Sequence, residues 1–374
     1  MVTDATHSLK DRFLQLDPFL LFFITCLSLL GLLSLYSAAG GSFSPWSQKQ
    51  FIRLSMGFSA LFIISMMDPR TIRSLSFPAY ILSILLLIFV DLKGHIGMGA
   101  QRWIDLKIIH LQPSELMKIT LIMALATYFH AQDDVSLGRL RTYILPCVLI
   151  ALPCALVLRQ PDLGTTLILL STGAFMIFMA GIRTWKVVTA LLLALGSLPL
   201  LWMNMHAYQK KRVLTFLNPE QDPLGAGYHI MQSKIAIGSA GFWGKGFLHG
   251  TQSQLQFLPE KHTDFIFAHF IEEFGFAGGI FLIGLFGMVL ITLLKMSLEC
   301  KSYYARLYIV GFQALLCFYI FINIGMVMGL LPVVGVPLPF MSYGGTSLLT
   351  LLAGVGIALS CHVHRNMRFG QTYS

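Results

Sequence analysis

Long apolar runs repeat along this chain, and they constrain its fold more than any other feature. Ten of them approach the roughly 20 residues that a helix needs to cross a bilayer. They lie at about 18–38, 51–67, 75–92, 113–130, 143–159, 162–180, 186–203, 265–294, 305–330 and 340–361. Only 11% of the residues are charged, against about 25% in soluble domains, so lipid must solvate much of the surface.

A chain that crosses lipid must satisfy its backbone polar groups internally, in helices or in a closed barrel. The apolar runs lack the alternation that is typical of barrel strands. We therefore predict an all-α integral membrane protein with ten transmembrane helices, forming a single polytopic membrane domain over residues 1–374. The division between the fifth and sixth helices depends on 159–162, where a proline would break a continuous helix.

Lys and Arg residues predict the orientation, because short cytoplasmic connections are enriched in them. With the N-terminus inside, the inner segments hold thirteen of these residues and the short outer connections hold five. Both termini are therefore predicted to be cytoplasmic, with a large outer loop at about 204–264 between helices 7 and 8. The net charge of +9 reflects this bias and an attraction to anionic headgroups. No basic face interleaved with aromatic residues indicates nucleic-acid binding.

A polar loop runs into the eighth apolar run at 257–267, and this segment carries the most chemistry. Thr263 is predicted to be the N-cap, which would place Asp264 in the first helical turn, close to His262. The helix dipole favours the ionised carboxylate, whereas partial burial favours the protonated one. On these residues alone, Asp264 is either an acid that stabilises a helix start or a general base with a pKa near working pH.

Two charged side chains lie within the fourth run, where lipid does not tolerate unpaired charges. Glu115 and Lys118 are three residues apart and share one helix face. They form either an internal ion pair or a phosphate site in which Glu115 and Gln112 orient Lys118. A glycine-rich loop at 94–103 precedes them and is predicted to dip into the outer leaflet. Arg102 in this loop can pair bidentately with a diphosphate or extend to the lipid headgroups.

Two further features extend the candidate site. Helical spacing places Glu272 about 80° around the helix from Asp264, so Glu272 could face the same cavity. His269 lies nearby, but no second ligand cluster supports a metal site. Three prolines and four glycines interrupt 329–345. Such irregular backbone at membrane depth is tolerated only inside protein or against a water-filled cavity.

These segments together resemble the SEDS family (shape, elongation, division and sporulation), and nearly the whole chain matches. The long and specific matches are 323–347 and 257–267, the second followed by Glu272 and Glu273. The segment 244–254 is similar to the elongation branch of the family rather than the cell-division branch. Further matches fall in the expected order at 17–18, 35–37, 102–103, 112–115, 160–164 and 222–228. Ala240 stands where a glycine is usual, and Lys261 where an arginine is common.

The resemblance implies a peptidoglycan glycosyltransferase of the bacterial cytoplasmic (inner) membrane, which polymerises lipid II at the outer face during cell elongation. The reaction would form a β-1,4 linkage with inversion and release undecaprenyl diphosphate. Asp264 matches the family's essential catalytic aspartate. The expected partners are lipid II, the growing lipid-linked glycan strand, a class B penicillin-binding protein and other elongation-complex membrane proteins. No cofactor is expected, and no ligand set is visible for a divalent cation that would assist the diphosphate.

Substrate-binding residues are then expected around Asp264, because the charge that develops on the departing diphosphate needs cations. Arg102 and Lys118 are the first choices, and Lys245 and Lys261 follow. The full set of candidates is Arg102, Gln112, Glu115, Lys118, Lys245, Lys261, His262, Glu272, Ser342, Gly344 and Gly345. Two other functions stay open, a lipid II flippase and a non-catalytic scaffold that activates a penicillin-binding protein, since ten helices with internal charges also suit transport.

Overall fold

The computed structural model describes residues 9–367, except for 98–99, 106–109, 133–137, 183, 198, 200–201, 204, 206, 219, 221, 223–224, 256 and 259. Within this part of the chain the fold is nearly all-helical. The helices are α1 Leu9–Leu14, α2 Pro18–Ala38, α3 Trp46–Ser65, α4 Pro69–Ser74, α5 Ser76–Lys93, α6 Pro113–His130, α7 Ile144–Arg159, α8 Leu163–Met179, α9 Thr184–Gly196, α10 Ala207–Leu217, α11 Ala226–Ser239, α12 Thr251–Gln254, α13 Ile266–Glu299, α14 Tyr303–Val327 and α15 Thr346–Val363. A short 3-10 turn, Leu140–Tyr143, leads into α7.

A small antiparallel sheet lies between α5 and α6, so the prediction of an all-α fold is wrong in this detail. Its strands are β1 His95–Gly97, β2 Ala100–Asp105 and β3 His110–Leu111, with β2 in the middle. The loop predicted to dip into the membrane contributes two of these strands. Pairing satisfies backbone groups that an irregular loop near lipid would leave without partners.

Among the described residues, six helical segments are long and apolar enough to cross a bilayer. They are Pro18–Ala38, Ser76–Lys93, Leu140–Arg159, Ile266–Glu299, Tyr303–Val327 and Thr346–Val363, and the shorter apolar helix Leu163–Met179 adds to them. The structure is therefore that of a multi-pass membrane protein. The predicted break at 159–162 is confirmed, since α7 ends at Arg159 and the Asp162 side chain caps α8 by accepting the Thr165 amide.

The last helices form the centre of the bundle. In the most apolar 18-residue stretch of α15, 83% of the residues are buried, against 28% in that of α5. Helix α15 is therefore central and α5 peripheral. Helix α15 packs most extensively on α3, while α14 packs on α6, α8 and α13. Helix α15 begins at Thr346, later than the predicted run at 340–361, because the proline- and glycine-rich segment before it is not helical.

Helix α11 lies within the loop predicted at about 204–264, and it packs on protein. Ile230, Ser233 and Ala236 form its buried face, and the Ser233 hydroxyl donates to the Val327 carbonyl of α14 at 2.5 Å. Ile235, on another face of the helix, is 48% exposed. Because Ser233 bonds the end of α14, this helix is anchored to the bundle.

A glycine breaks α13 and joins the outer loop to it. Gly275 has φ of +71° and ψ of −169° inside the helix. The freed backbone pairs with the loop: the Lys245 amide donates to the Glu272 carbonyl and the Phe276 amide to the Gly241 carbonyl, both at 3.0 Å. A Cβ on Gly275 would overlap the backbone of Gly244. Only glycine satisfies both the dihedral angles and the close approach.

We expect Gly275→Ala to destabilise the protein by about 3 kcal/mol, because it adds a strained φ and forces the loop backbone away. Gly284→Ala in the same helix is the matched control, since nothing lies within 4 Å of a Cβ there. Thermal unfolding of both variants in detergent measures the difference. Equal melting temperatures for the two variants would contradict this account of the break.

Candidate active site

One end of the bundle, here called the cavity end, collects the connections that follow α2, α5, α7, α11 and α14. Hydrogen bonds join several of them across the bundle. The Thr346 hydroxyl donates to the His110 carbonyl at 2.7 Å, and the Tyr343 amide donates to the His262 carbonyl at 2.8 Å. The connections before α6, α13 and α15 are thereby held around a common centre.

The irregular segment 328–345 is fixed against the turn that carries Asp264. The Asn323 side-chain amide donates to the Asp264 carbonyl at 2.9 Å and to the Val336 carbonyl at 2.7 Å. The Ser342 hydroxyl donates to the Thr263 carbonyl at 2.7 Å. Backbone carbonyls that no helix satisfies at this depth thus find side-chain donors, as burial requires.

Asp264 lies two residues before helix α13, not in its first turn as predicted. The helix begins at Ile266, and Phe265 at the N-cap position makes no side-chain capping bond. The Thr263 hydroxyl donates instead to Glu260 Oε2 at 2.7 Å, and the Phe265 amide donates to the Glu260 carbonyl at 3.2 Å. These bonds close a turn that carries Asp264, and its side chain lines the cavity described next.

A cavity of about 310 Å³ opens beside this turn. Its walls come from the β2 strand, α6, α8, the turn before α13, α14 and the segment before α15. The lining includes both residues that the sequence predicted and residues that it did not. Those predicted from the sequence that line the cavity are Arg102, Gln112, Glu115, Lys118, Asp264, Gly344 and Gly345.

Loss of hydration dominates the electrostatics of Asp264. The pKa of its carboxyl is raised to about 7, first by burial and then by the negative charges of Glu260 and Asp162, with Arg212 acting in the opposite direction. An aspartate in water has a pKa near 3.9. At neutral pH this carboxyl therefore populates both protonation states, which suits a group that accepts a proton from a substrate.

A glycine keeps space open beside the carboxylate. Gly335 has φ of +74°, and a Cβ placed on it would lie 3.4 Å from Asp264 Oδ2. Any other residue would be strained there and would crowd the acid. The segment 328–345 thus leaves one side of Asp264 free for a reacting group.

Glu115, Lys118 and Tyr319 form a buried trio that also lines the cavity. The Lys118 ammonium donates to Glu115 Oε1 at 2.7 Å, and the Tyr319 hydroxyl donates to Glu115 Oε2 at 2.8 Å. Lys118 also donates to the Tyr319 hydroxyl. The predicted ion pair is present, and its members line the cavity. An ammonium has three donors, so one of them is left for a ligand.

Arg102 lies against the turn between α7 and α8. Its guanidinium donates to the Gln160 carbonyl at 2.9 Å and to the Pro161 carbonyl at 2.6 Å. Asp162 Oδ2 is 3.8 Å from Nη1. The side chain keeps 25% of its surface exposed, so Arg102 presents its charge at the cavity wall while it holds this turn in place.

Two predicted residues of the 260–264 segment point elsewhere. Lys261 lines a second pocket with Trp46 and Gln254, and burial lowers the pKa of its ammonium, opposed by Glu273 and Glu272. The His262 ring stacks on Trp46 with centroids 4.5 Å apart. Burial lowers the pKa of this imidazole. His262 therefore packs the turn, in agreement with a positioning role.

The remaining predicted residues support the site from outside the cavity. Lys245 Nζ lies 2.9 Å from Glu272 Oε1, and the Gln252 amide donates to the same oxygen at 2.8 Å. Glu272 therefore ties the outer loop to α13 and does not face Asp264. Ser342 accepts the Leu338 amide at 2.7 Å and holds the irregular segment, while its neighbours line the wall.

Several functional-site residues escaped the sequence reasoning. Asp162, Glu260 and Tyr319 line the cavity, and Arg212 acts on the Asp264 carboxyl. Asp162 lies in the predicted helix break at 159–162 and in the family match at 160–164, but no role in the site was predicted for it. Asn323, which bonds the Asp264 turn, begins the family match at 323–347. A lone amide inside an apolar helix was the sequence signal that could have indicated its role.

The helices and the polar cavity at one end of them define a multi-pass membrane protein with an internal ionisable site. The family of cell cycle proteins that includes FtsW, RodA and SpoVE matches residues 17–367. The chain therefore belongs to this family, which is the SEDS family that its motifs resemble.

Individual relatives agree with this assignment. The chain is 43% identical to the peptidoglycan glycosyltransferase MrdB of Escherichia coli strain K12, over 94% of this chain and 95% of that protein. It also superposes on a chain from a solved structure that concerns the structural coordination of polymerization and crosslinking by a peptidoglycan synthase complex. That match has a TM-score of 0.83 and 34% identity, and it covers 94% of this chain and 98% of the other. The rod shape determining protein RodA of Thermus thermophilus gives a TM-score of 0.71 and 30% identity, with coverage of 94% and 98%.

We expect Lys118→Met to lower the free energy of unfolding by about 3–5 kcal/mol, because it leaves the Glu115 carboxylate buried without its counter-charge. Removing both charges in Glu115→Gln/Lys118→Met should restore most of that stability, since volume is kept and no buried charge remains. Thermal unfolding in detergent of the wild type, both single variants and the double variant measures this coupling. A double variant no more stable than Lys118→Met would contradict it.

Proposed function

We propose that this chain is a peptidoglycan glycosyltransferase that polymerises lipid II during cell elongation and rod-shape maintenance. The observation that carries the proposal is the Asp264 carboxyl, which has a pKa of about 7 in a cavity that also holds Lys118 and Arg102. The transferase names of its relatives, at identities such as 43% over most of the chain, support the same activity. A proton acceptor beside cations is what transfer from a diphosphate-linked sugar requires.

The proposal includes the arrangement in the membrane. Ten helices cross the cytoplasmic membrane, both termini are cytoplasmic, and the cavity end faces outward, where the sugars of lipid II lie. The sequence supports this orientation through the excess of Lys and Arg in the segments at the other end. The 204–264 loop then covers the outer face, and α11 in it packs against α14.

The proposed reaction joins two lipid-linked saccharides. Asp264 removes the proton from the 4-hydroxyl of the acceptor GlcNAc. That oxygen forms a bond to the anomeric carbon of the MurNAc at the end of the growing chain, and the bond from this carbon to the diphosphate oxygen breaks. Undecaprenyl diphosphate leaves with the bonding electrons, and direct displacement converts the α linkage of the donor into a β-1,4 linkage.

Lys118 and Arg102 stabilise the departing diphosphate in this scheme. Glu115 and Tyr319 orient the Lys118 ammonium and leave it one N–H for the ligand. Arg102 is held by the carbonyls of Gln160 and Pro161. Preorganised donors of this kind stabilise developing charge without reorganising during the reaction.

A class B penicillin-binding protein is the proposed partner, and it would cross-link the strands that this chain makes. The similarity to a chain from a peptidoglycan synthase complex structure that concerns both polymerization and crosslinking supports this partnership. Coupling in one complex would deliver each new strand directly to the transpeptidase.

We expect Asp264→Ala to reduce lipid II polymerisation by at least about 100-fold, since general bases contribute roughly 10²- to 10⁴-fold. The assay uses the purified chain with its penicillin-binding partner and fluorescent lipid II, with glycan products resolved on gels. Asp91→Asn is the matched control, because Asp91 is an exposed acid at the end of α5, and it should retain wild-type activity.

A folded Asp264→Ala protein that polymerises at the wild-type rate would overturn the base assignment. Wild-type protein that moves lipid II across proteoliposome membranes without chain growth would favour the flippase instead. Partner-dependent cross-linking that survives Asp264→Ala, with no polymerisation by wild type, would favour the scaffold.

A further inference from the structure

Arg53 is a charged residue within the apolar helix α3, and the site described above does not use it. It lies seven residues after Trp46, the first residue of α3, which is about 10 Å along the helix. Its guanidinium carbon sits 4.6 Å from the centre of the Tyr343 ring. A cation over an aromatic face is a favourable contact, but it satisfies none of the five N–H donors of the group.

At least one donor of Arg53 has no hydrogen-bond partner among the residues that the structure describes. Its Nη1 atom is buried and has no hydrogen-bond partner. Buried donors without partners each cost about 1–3 kcal/mol, and more when they are charged. Such an atom needs an explanation, and a bound anion that accepts the bond would provide one.

The Arg53 guanidinium lies next to residues that line the cavity. Tyr343, Gly344 and Gly345 all line the cavity wall. A Cβ placed on Gly345 would lie 3.6 Å from both Cζ and Nε of Arg53. Because Gly345 has no side chain, a ligand in the cavity can come within reach of the guanidinium at this point.

The same place is the N-terminus of the central helix α15. Gly345 is its N-cap and provides no side-chain capping bond. The first amides of a helix lack intrahelical partners and carry partial positive charge. The hydroxyl-bearing residues Thr346 and Ser347, which also line the cavity, begin this helix.

The other cations of the wall already have partners. Lys118 is bound to Glu115, and Arg102 is bound to two carbonyls with Asp162 beside it. Arg53 makes no ion pair among the described residues, and its positive charge is therefore not neutralised by the protein. For a doubly negative ligand, this uncompensated charge would add to the contributions of Lys118 and Arg102.

We propose that Arg53, across Gly345 and beside the first amides of α15, forms a binding site for a diphosphate group. This inference rests on the proposed function, under which the group belongs to the lipid-linked donor and then to the leaving undecaprenyl diphosphate. The site would hold the diphosphate at the start of α15 while Asp264 acts on the acceptor in the same cavity.

The phosphate could also come from a membrane phospholipid, because Arg53 is only partly buried. Both sources offer the same chemistry, an anionic phosphate oxygen that accepts from the guanidinium. The experiment therefore needs separate arms for a free diphosphate compound and for anionic lipid.

The variants are Arg53→Gln and Arg53→Lys, with Lys49→Gln as the control. Lys49 is exposed on the same helix, so its variant removes one positive charge at a distance from the cavity wall. We measure inhibition of lipid II polymerisation by undecaprenyl diphosphate, and direct binding of inorganic diphosphate to the full-length protein in detergent. Both are repeated in nanodiscs of phosphatidylcholine with and without phosphatidylglycerol, and melting temperatures are recorded.

We expect Arg53→Gln to weaken inhibition by undecaprenyl diphosphate and binding of diphosphate by roughly 10- to 100-fold. Arg53→Lys should weaken diphosphate binding less, because it keeps the positive charge but loses the two-pronged hydrogen bonding of the guanidinium. Lys49→Gln should match the wild type. These shifts should be the same with and without phosphatidylglycerol.

Unchanged diphosphate binding in a folded Arg53→Gln protein would overturn the inference and leave Arg53 as a support for Tyr343. A change confined to the response to phosphatidylglycerol would assign the site to phospholipid headgroups and overturn the diphosphate assignment. If wild type binds diphosphate through Arg53 but does not polymerise lipid II, the proposed function fails while the diphosphate site stands.

Discussion

The Asn323 side-chain amide bonds two backbone carbonyls at once, those of Asp264 and Val336, and the cavity depends on this contact. Neither carbonyl is satisfied by a helix, and lipid offers no donor to replace the amide. The Ser342 hydroxyl acts in the same way on the adjacent Thr263 carbonyl. The irregular segment 328–345 and the turn before α13 are therefore held together. Both are non-helical where they line the cavity.

The chemistry of the cavity follows from the cost of burying charge. Asp264 has no counter-charge in direct contact, so burial raises the pKa of its carboxyl to about 7. Glu115 and Lys118 are buried as a pair and neutralise each other. The cavity thus holds a carboxyl that exchanges protons and an ion pair whose charges cancel. In the proposed reaction, the first does acid–base work and the second contributes charge stabilisation.

The sequence predicted what is local. Apolar length gave the helices, the proline at 159–162 gave the break between α7 and α8, and helical spacing gave the Glu115–Lys118 pair. It did not predict what depends on contacts between distant segments. Thr263 was read as a helix cap because the sequence does not reveal that Glu260 takes its hydroxyl. The sheet beside α6 and the contact of Arg53 with Tyr343 were missed for the same reason.

The pH dependence of polymerisation tests the central claim most directly, because the claim assigns proton removal to a carboxyl with a pKa of about 7. A general base works when deprotonated, so activity should rise as pH increases through about 7. Single-turnover rates with lipid II, measured between about pH 5 and pH 9 on protein of constant melting temperature, should show that midpoint. A rate that is already maximal at pH 5, as an ordinary aspartate with a pKa near 3.9 would give, would contradict the account.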